Sequence, residues 1–200
     1  MTVVPFVRPP QPAPGLTIAL RRDLRTGLTG AGMVRGWTGD PVAALLAARA
    51  AWRKSAPLAI APPPEAYGDA AAAGDFSGAL LAADISPRAV DIEVDEAVLA
   101  AGSLVGVERL RARGFGIALS VRADCPLPLG GRARGLFTEI VMPAPTRLDP
   151  FMGLDEGDDR PLARRLHAAR ASGLIVTATG VGDAGWGKAL AAAGFDRGEF

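Results

Sequence analysis

The clearest hydrophobic pattern in the chain lies between residues 88 and 121 and predicts a strand, a helix and a second strand. Apolar and acidic residues alternate over residues 90–94, which is the two-residue period of a strand. Asp95 can cap the helix that follows, where apolar residues recur at helical spacing. Residues 116–121 are almost all apolar, as in a buried strand. We therefore expect a βαβ unit with parallel strands.

The same alternation of strand and helix patterns extends over most of the chain. Residues 16–20 and 28–35 predict two strands close enough to form a hairpin. Further strands are predicted at 58–61, 137–142, 174–178 and from 195, and helices at 41–53, 65–83 with a break at Gly74, 161–172 and 185–193, with loops at 122–135 and 143–159. About eight strands favour a closed α/β barrel, with an open doubly wound sheet as the alternative.

Composition limits the environment and the partners of the protein. The net charge of +1 gives no indication of a nucleic-acid polymer or an anionic membrane as partner. Cys125 is the only cysteine, so no intramolecular disulfide can form, and no apolar run approaches the ~20 residues of a membrane span. We expect a cytoplasmic protein with a Pro-rich flexible tail at residues 1–15 and one domain at 16–200.

Residues that could bind a cofactor or a metal are sparse. The turn at 182–189 is similar to a phosphate-binding loop, but Ala189 replaces the hydroxyl residue that would hold Mg²⁺. His167 has no His or Cys at ligand spacing, and the acidic residues at 149–159 lack the alternate spacing of a calcium loop. Cys125 has no neighbouring His that would activate it. The pattern by itself predicts no cofactor and no metal.

Six short motifs between residue 16 and residue 200 resemble one family in order and spacing. They are DLRTG at 23–27, GAGMVRGW at 30–37, DIEVDE at 91–96, GIAL at 116–119, VTATGVG at 176–182 and AGFDRGE at 193–199. They are similar to motifs of the EAL domain of cyclic-di-GMP phosphodiesterases. The resemblance implies a modified TIM-like (β/α)8 barrel with an antiparallel first strand. It also implies hydrolysis of a phosphodiester by two cations, held by acidic and amide side chains at the carboxyl ends of the strands.

The positions that this resemblance assigns to metal and substrate ligands mostly carry other residues. The vestigial site positions are Gly32, Ala61, Glu93, Glu96, Ser120, Val121, Thr179 and Glu199. Gly32 stands at the signature glutamate, and Ser120 and Val121 stand at an aspartate pair. Glu93 is either a surviving ligand or a buried acid that is hydrogen-bonded within the mouth of the barrel. Because one carboxylate cannot hold two cations, the expectation is a degenerate domain that is not an enzyme.

The expected biological role follows from this loss of ligands. The resemblance assigns a ligand arginine to Gly36, and the adjacent Arg35 is expected on the opposite face of the strand. Arg122 and Arg197 could contact phosphates near the expected mouth of the barrel, but solvent-exposed arginines are the more common case, so cyclic-di-GMP binding is possible but not favoured. The family's helical segment after Trp37 is absent, so we expect a trimmed barrel with an exposed apolar seam or strand edge. The sequence favours a regulator of bacterial signalling or motility that acts through a protein partner or self-association. The alternatives are a non-catalytic cyclic-di-GMP receptor and a residual phosphodiesterase.

Overall fold

The computed structural model describes residues 15–100, 104–122, 129–130, 133, 135–145 and 160–200. Eight strands follow one another in chain order around a closed barrel: β1 (Thr17–Asp23), β2 (Thr29–Arg35), β3 (Leu58–Ile60), β4 (Val90–Asp95), β5 (Gly116–Ser120), β6 (Glu139–Pro143), β7 (Ile175–Thr179) and β8 (Arg197–Glu199). The helices are α1 (Pro41–Ala51), α2 (Ala70–Ala82), α3 (Ala97–Ala100), α4 (Leu104–Ala112), α5 (Arg160–Ala171) and α6 (Ala184–Ala193). The closed α/β barrel predicted from the sequence is confirmed.

The first strand runs against both of its neighbours. β1 pairs antiparallel with β2 and with β8, and every other neighbouring pair from β2 to β8 is parallel. The predicted antiparallel start is therefore confirmed. Because β8 closes on β1, each strand has a partner on both sides. The prediction that a trimmed barrel exposes a strand edge is wrong for this reason.

A short turn joins β1 to β2 at the amino-terminal end of the parallel strands. The Asp23 carboxylate accepts hydrogen bonds from the backbone N–H groups of Thr26 at 2.7 Å and Arg25 at 3.0 Å. The N–H of Thr26 has the largest effect, and together these donors hold the pKa of Asp23 below its ordinary value. Gly27 has a φ of 73°, a conformation that glycine adopts without strain. The turn predicted at 23–27 is thus confirmed by its local hydrogen bonds.

Alternate residues along each strand face opposite sides of the sheet and differ in character. The outward side chains of β3 to β7 are apolar, and together with the helices they form the hydrophobic core: Leu58, Ile60, Val90, Ile92, Val94, Ile117, Leu119, Ile140, Met142, Val176 and Ala178. The inward positions include small side chains and several charged ones, among them Arg21, Glu93, Glu139 and Glu199, all four of which are buried. The main core is therefore the layer between the sheet and the helices, and the barrel interior is polar.

One helix differs from its predicted form, and some predictions fall outside the described residues. α2 continues through Gly74, because one glycine costs a helix only about 1 kcal/mol and Asp69 caps its start. The helix predicted after Asp95 is described as α3 and α4, and residues 101–103 between them lie outside the described residues. His167 is exposed on α5, as predicted. Residues 1–14, Cys125 and most of the loops predicted at 122–135 and 143–159 lie outside the described residues.

Candidate functional site

The centre of the barrel holds one arginine between three glutamates. The Arg21 guanidinium, which has no solvent exposure, donates from Nε to Glu199 at 3.0 Å and from Nη2 to Glu93, and its Nη1 lies 3.5 Å from Glu139. Burial alone would lower the pKa of Arg21, but the charges of the three carboxylates hold it above its ordinary value. Arg21 is therefore a fixed cation in the interior. We call Arg21, Glu93, Glu139 and Glu199 the interior cluster.

A second group of polar side chains adjoins the interior cluster at the amino-terminal end of the strands. Arg197 Nη1 donates to Glu139 at 3.1 Å, and the Thr177 hydroxyl donates to the other oxygen of Glu139. Asp91 is also inward-facing, and its carboxylate lies over Gly116, where a Cβ atom would come within 2.0 Å of it. Burial and the nearby charge of Glu139 raise the pKa of Asp91 to about 6, although Arg197 and Arg21 act in the opposite direction.

The other end of the barrel, where the parallel strands end, carries two further ion pairs. Arg35, the last residue of β2, donates from Nη2 and Nε to the Glu199 oxygen Oε1, at 2.7 Å and 3.0 Å. Its side chain is 40% exposed. Arg122, which follows β5, is ion-paired with Glu96, and its backbone N–H also donates to Glu96 at 2.9 Å. We call this end of the barrel the mouth, because ligand sites of α/β barrels are built at the carboxyl ends of the strands.

The structure separates the predicted vestigial positions into two groups. Glu93, Glu199, Ser120 and Thr179 are on the inward face, the last two at the ends of their strands, and Ala61 and Glu96 follow the ends of β3 and β4. Gly32 and Val121 face away from the interior. A Cβ atom at Gly32 would lie 2.5 Å from Trp52 and 2.9 Å from Ile18, both on the outer side of the sheet, and Val121 belongs to the outer core. Of the two readings of Glu93, the structure shows the buried acid that is hydrogen-bonded inside the barrel.

One of the three predicted ligand-binding arginines is at the wrong end of the barrel. Arg197 begins β8, pairs with Asp23 at the end of β1, and lies where a Cβ atom at Gly30 would come within 2.7 Å of its Nε atom. These neighbours belong to the amino-terminal end of the parallel strands. The prediction that Arg197 lies near the mouth is therefore wrong. Arg122 follows β5 at the mouth. Arg35, for which the sequence predicts the face opposite to a ligand position, ends β2 there with its guanidinium on the inward-facing Glu199.

The described carboxylates do not form a cage for divalent cations. Within the residues that the structure describes, no three His, Cys, Asp or Glu side chains are arranged to hold a metal ion. The glutamates of the interior cluster instead converge on Arg21, and at the mouth Asp95 accepts the N–H of Ala97 while Glu96 pairs with Arg122. A divalent cation among the three glutamates would lie against a guanidinium, so these residues do not fit one.

Sequence reasoning missed three members of this interior. The first predicted strand ends at residue 20 and the predicted turn begins at Asp23, so the sequence assigns Arg21 to neither. Glu139 and Thr177 were taken as ordinary strand residues. A usable signal was present: Asp91, Glu93 and Glu139 are acids within strands predicted to be buried, and a buried acid requires a counter-charge.

Comparisons with known proteins identify the architecture. No protein-family model and no curated protein matches the sequence. The PaMucR phosphodiesterase in its c-di-GMP complex superposes with a TM-score of 0.65 at 18% identity, over 92% of each chain. The chain has the EAL fold.

Two further EAL-fold structures give the same result. The c-di-GMP-bound standalone versatile EAL protein of Vibrio cholerae O395 has a TM-score of 0.63 at 16% identity, over 92% of this chain and 89% of that one. The calcium/cy-diGMP complex of Klebsiella pneumoniae BlrP1 has a TM-score of 0.60 at 19% identity, over 95% of this chain but only 56% of BlrP1. The predicted EAL-type barrel is confirmed as a fold.

The EAL fold corrects the prediction that this chain is not an enzyme. That prediction counted ligands at positions such as Gly32, which the structure places on the outer face of β2, where no ligand of the interior could lie. The fold is shared with PaMucR, a phosphodiesterase. Among the described helices, none is both long and apolar enough to cross a bilayer.

Proposed function

We propose that this chain is a cyclic-di-GMP-responsive domain of bacterial signalling, formed by residues 16–200, which works in the cytoplasm and binds the dinucleotide at the mouth of its barrel. The EAL fold is the observation that carries the proposal, because PaMucR and the V. cholerae protein have that fold in complex with c-di-GMP. From the sequence alone, contact with a protein partner is favoured over binding of cyclic-di-GMP as the function of the chain. The EAL fold supports the opposite order, with nucleotide binding first.

Arg35 is the residue best placed to contact a phosphate of the dinucleotide. It ends β2, and its guanidinium is held at the mouth by Glu199 while 40% of the side chain is exposed. A guanidinium binds phosphate oxygens through paired, charge-assisted hydrogen bonds. Because Glu199 fixes the orientation of Arg35, little side-chain entropy is lost when a phosphate binds.

Arg122 supplies a second cation at the same end of the barrel. Its side chain is 81% exposed and lies beside Glu96, which follows β4. An arginine at the end of β2 and another after β5 suit a ligand with two separate phosphates, as cyclic-di-GMP has. Arg197 is left out of the proposal because it pairs with Glu139 at the opposite end.

Isothermal titration of the full chain with cyclic-di-GMP tests the proposal. We expect binding to the wild-type protein and a loss of affinity of about 10-fold or more in Arg35→Ala, the equivalent of one charge-assisted hydrogen bond. The matched control is Arg25→Ala, an exposed arginine on the turn at the other end of the barrel. Its affinity should equal that of the wild type.

Two outcomes would contradict the proposal. One is the absence of binding at ligand concentrations of about 100 μM, and the other is an equal loss of affinity in Arg35→Ala and Arg25→Ala. Chromatography of the titrated samples, with Mg²⁺ or Mn²⁺ added, shows whether the bound dinucleotide is also cleaved to a linear product. This measurement reports on catalysis separately from binding.

The signal is proposed to leave the domain through protein contact or self-association. Large apolar side chains are exposed at several points of the outer surface, with Leu28 at 71% and Phe200 at 40%. Where such side chains adjoin one another, the contiguous apolar patch is typical of a protein interface, which single exposed side chains are not. Light scattering after size-exclusion chromatography, with and without cyclic-di-GMP, tests self-association. A monomer of unchanged mass in both conditions at high protein concentration would exclude it.

A further inference from the structure

The interior cluster places a planar cation where carboxylates from three different strands meet. Each nitrogen of the Arg21 guanidinium faces a different glutamate: Nε faces Glu199 on β8, Nη1 faces Glu139 on β6 and Nη2 faces Glu93 on β4. All three carboxylates are buried, with at most 7% of each residue exposed. The arrangement matches the fork of donors of a guanidinium, which is fixed in one plane.

The charges of this region are already balanced by arginines. Arg197 adds a hydrogen bond to Glu139 at 3.1 Å, and Arg35 adds two to Glu199. Three guanidinium groups thus face three carboxylates, and their formal charges sum to zero, while the inward-facing Asp91 adds one negative charge when it is ionised. A divalent cation introduced among the glutamates would bring at least one unbalanced positive charge into a buried site.

We infer that Arg21 is the resident cation of the three glutamates and excludes divalent metal ions from the interior cluster. A protein with the same fold, BlrP1, has been solved as a calcium/cy-diGMP complex. The inference does not depend on the proposed function, because it concerns the protein without nucleotide. The role that it assigns to Arg21 is to neutralise the three carboxylates with its own positive charge.

Removing the guanidinium should convert the cluster into a cation site. In Arg21→Met the side chain keeps much of its length but loses its charge, which leaves three carboxylates facing one cavity. We expect Tm to fall by about 10 °C and to recover in part when Mn²⁺ is added. Electron paramagnetic resonance of free Mn²⁺ should show one bound ion per chain in Arg21→Met and no binding by the wild-type cluster.

Arg22→Met is the matched control. Arg22 is the next residue along β1 but faces outward, with its guanidinium carbon 5.7 Å from the Phe200 ring. The same substitution there removes the same charge without touching the glutamates. We therefore expect a small change in Tm and no Mn²⁺ binding.

The wild-type protein provides a test even if Arg21→Met fails to fold. Mn²⁺ binding by the nucleotide-free wild type that is lost in Glu139→Gln would place a metal in the cluster and overturn the inference, because Glu139 lies far from the mouth. A folded Arg21→Met protein that binds no Mn²⁺ would also overturn it. Since no measurement involves cyclic-di-GMP, a failure here is distinct from a failure of nucleotide binding.

Discussion

Arg35 and Glu199 form an ion pair at the mouth of the barrel, with Nη2 of Arg35 2.7 Å from Oε1 of Glu199. The other carboxylate oxygen of Glu199 accepts a hydrogen bond from Arg21 at 3.0 Å. Glu199 thus joins the residue proposed to bind phosphate to the cation in the centre of the barrel. Its negative charge also competes with any phosphate for Arg35.

Glu199→Gln is expected to strengthen cyclic-di-GMP binding by about fivefold, the equivalent of about 1 kcal/mol. The amide keeps one oxygen that can accept from Arg35, replaces the oxygen that accepts from Arg21 with a donor NH2 group, and removes the competing charge. Isothermal titration at low ionic strength measures the change. Asp75→Asn, the same chemical change at an exposed position on α2, is the control. Equal or weaker binding by Glu199→Gln would contradict the prediction.

Asp91 should make stability fall as the pH rises from about 4 to above 6. Its pKa is raised to about 6 in the folded protein from an ordinary 3.8, chiefly by burial. The folded state therefore holds this proton more tightly than the unfolded chain. The resulting stabilisation is complete below the unfolded value and is lost as the pH passes through about 6.

Asp91→Asn should remove this pH dependence. At pH 7 the free energy of unfolding of the variant is expected to exceed that of the wild type by on the order of 2 kcal/mol, and the two should converge near pH 4. Urea unfolding across this pH range measures the difference. A difference that stays constant with pH would show that Asp91 does not titrate as its surroundings indicate.

Gly106 and Gly74 should respond oppositely to alanine. A Cβ atom at Gly106, in α4, would lie 2.0 Å from the backbone oxygen of Tyr67 and 2.8 Å from that of Asp69, whereas nothing lies within 4 Å at Gly74, in α2. Gly106→Ala should therefore destabilise the protein by about 3 kcal/mol, because α4 must move. Gly74→Ala should stabilise it by about 0.5–1 kcal/mol through helix propensity. Chemical denaturation measures the change in the free energy of unfolding of both variants. Changes of the same sign would contradict the close packing of α4 against Tyr67 and Asp69.

The fold could be predicted from the sequence because its signals are local. The alternation over residues 90–94 places Ile92 outward and Glu93 inward, and the cap at Asp95 forms as expected, with its carboxylate accepting the N–H of Ala97 at 2.8 Å. Parallel pairing of β4 with β5 follows from the helical connection between them.

The site could not be predicted in the same way, because its partners are distant in the chain. Nothing near Arg21 in sequence indicates that its counter-charges are Glu93, Glu139 and Glu199. An error of one position also has a large effect in a strand, since neighbouring residues face opposite sides. The motif that equates Gly32 with an inward ligand shows this: Ala31 and Met33, on either side of it, pair with the inward-facing Arg21 and Ala19 of β1.

The pairing of the first strand with the last also governs when the molecule can fold. The counter-charges of Arg21 follow it by 72, 118 and 178 residues, so the earliest strand leaves the ribosome long before the latest one exists. Closure must therefore await residue 199, and contacts of such long sequence separation form slowly. In a nascent chain that stops before residue 199, Arg21 would remain solvated and the barrel would remain open. Such a chain would depend on chaperones for its solubility.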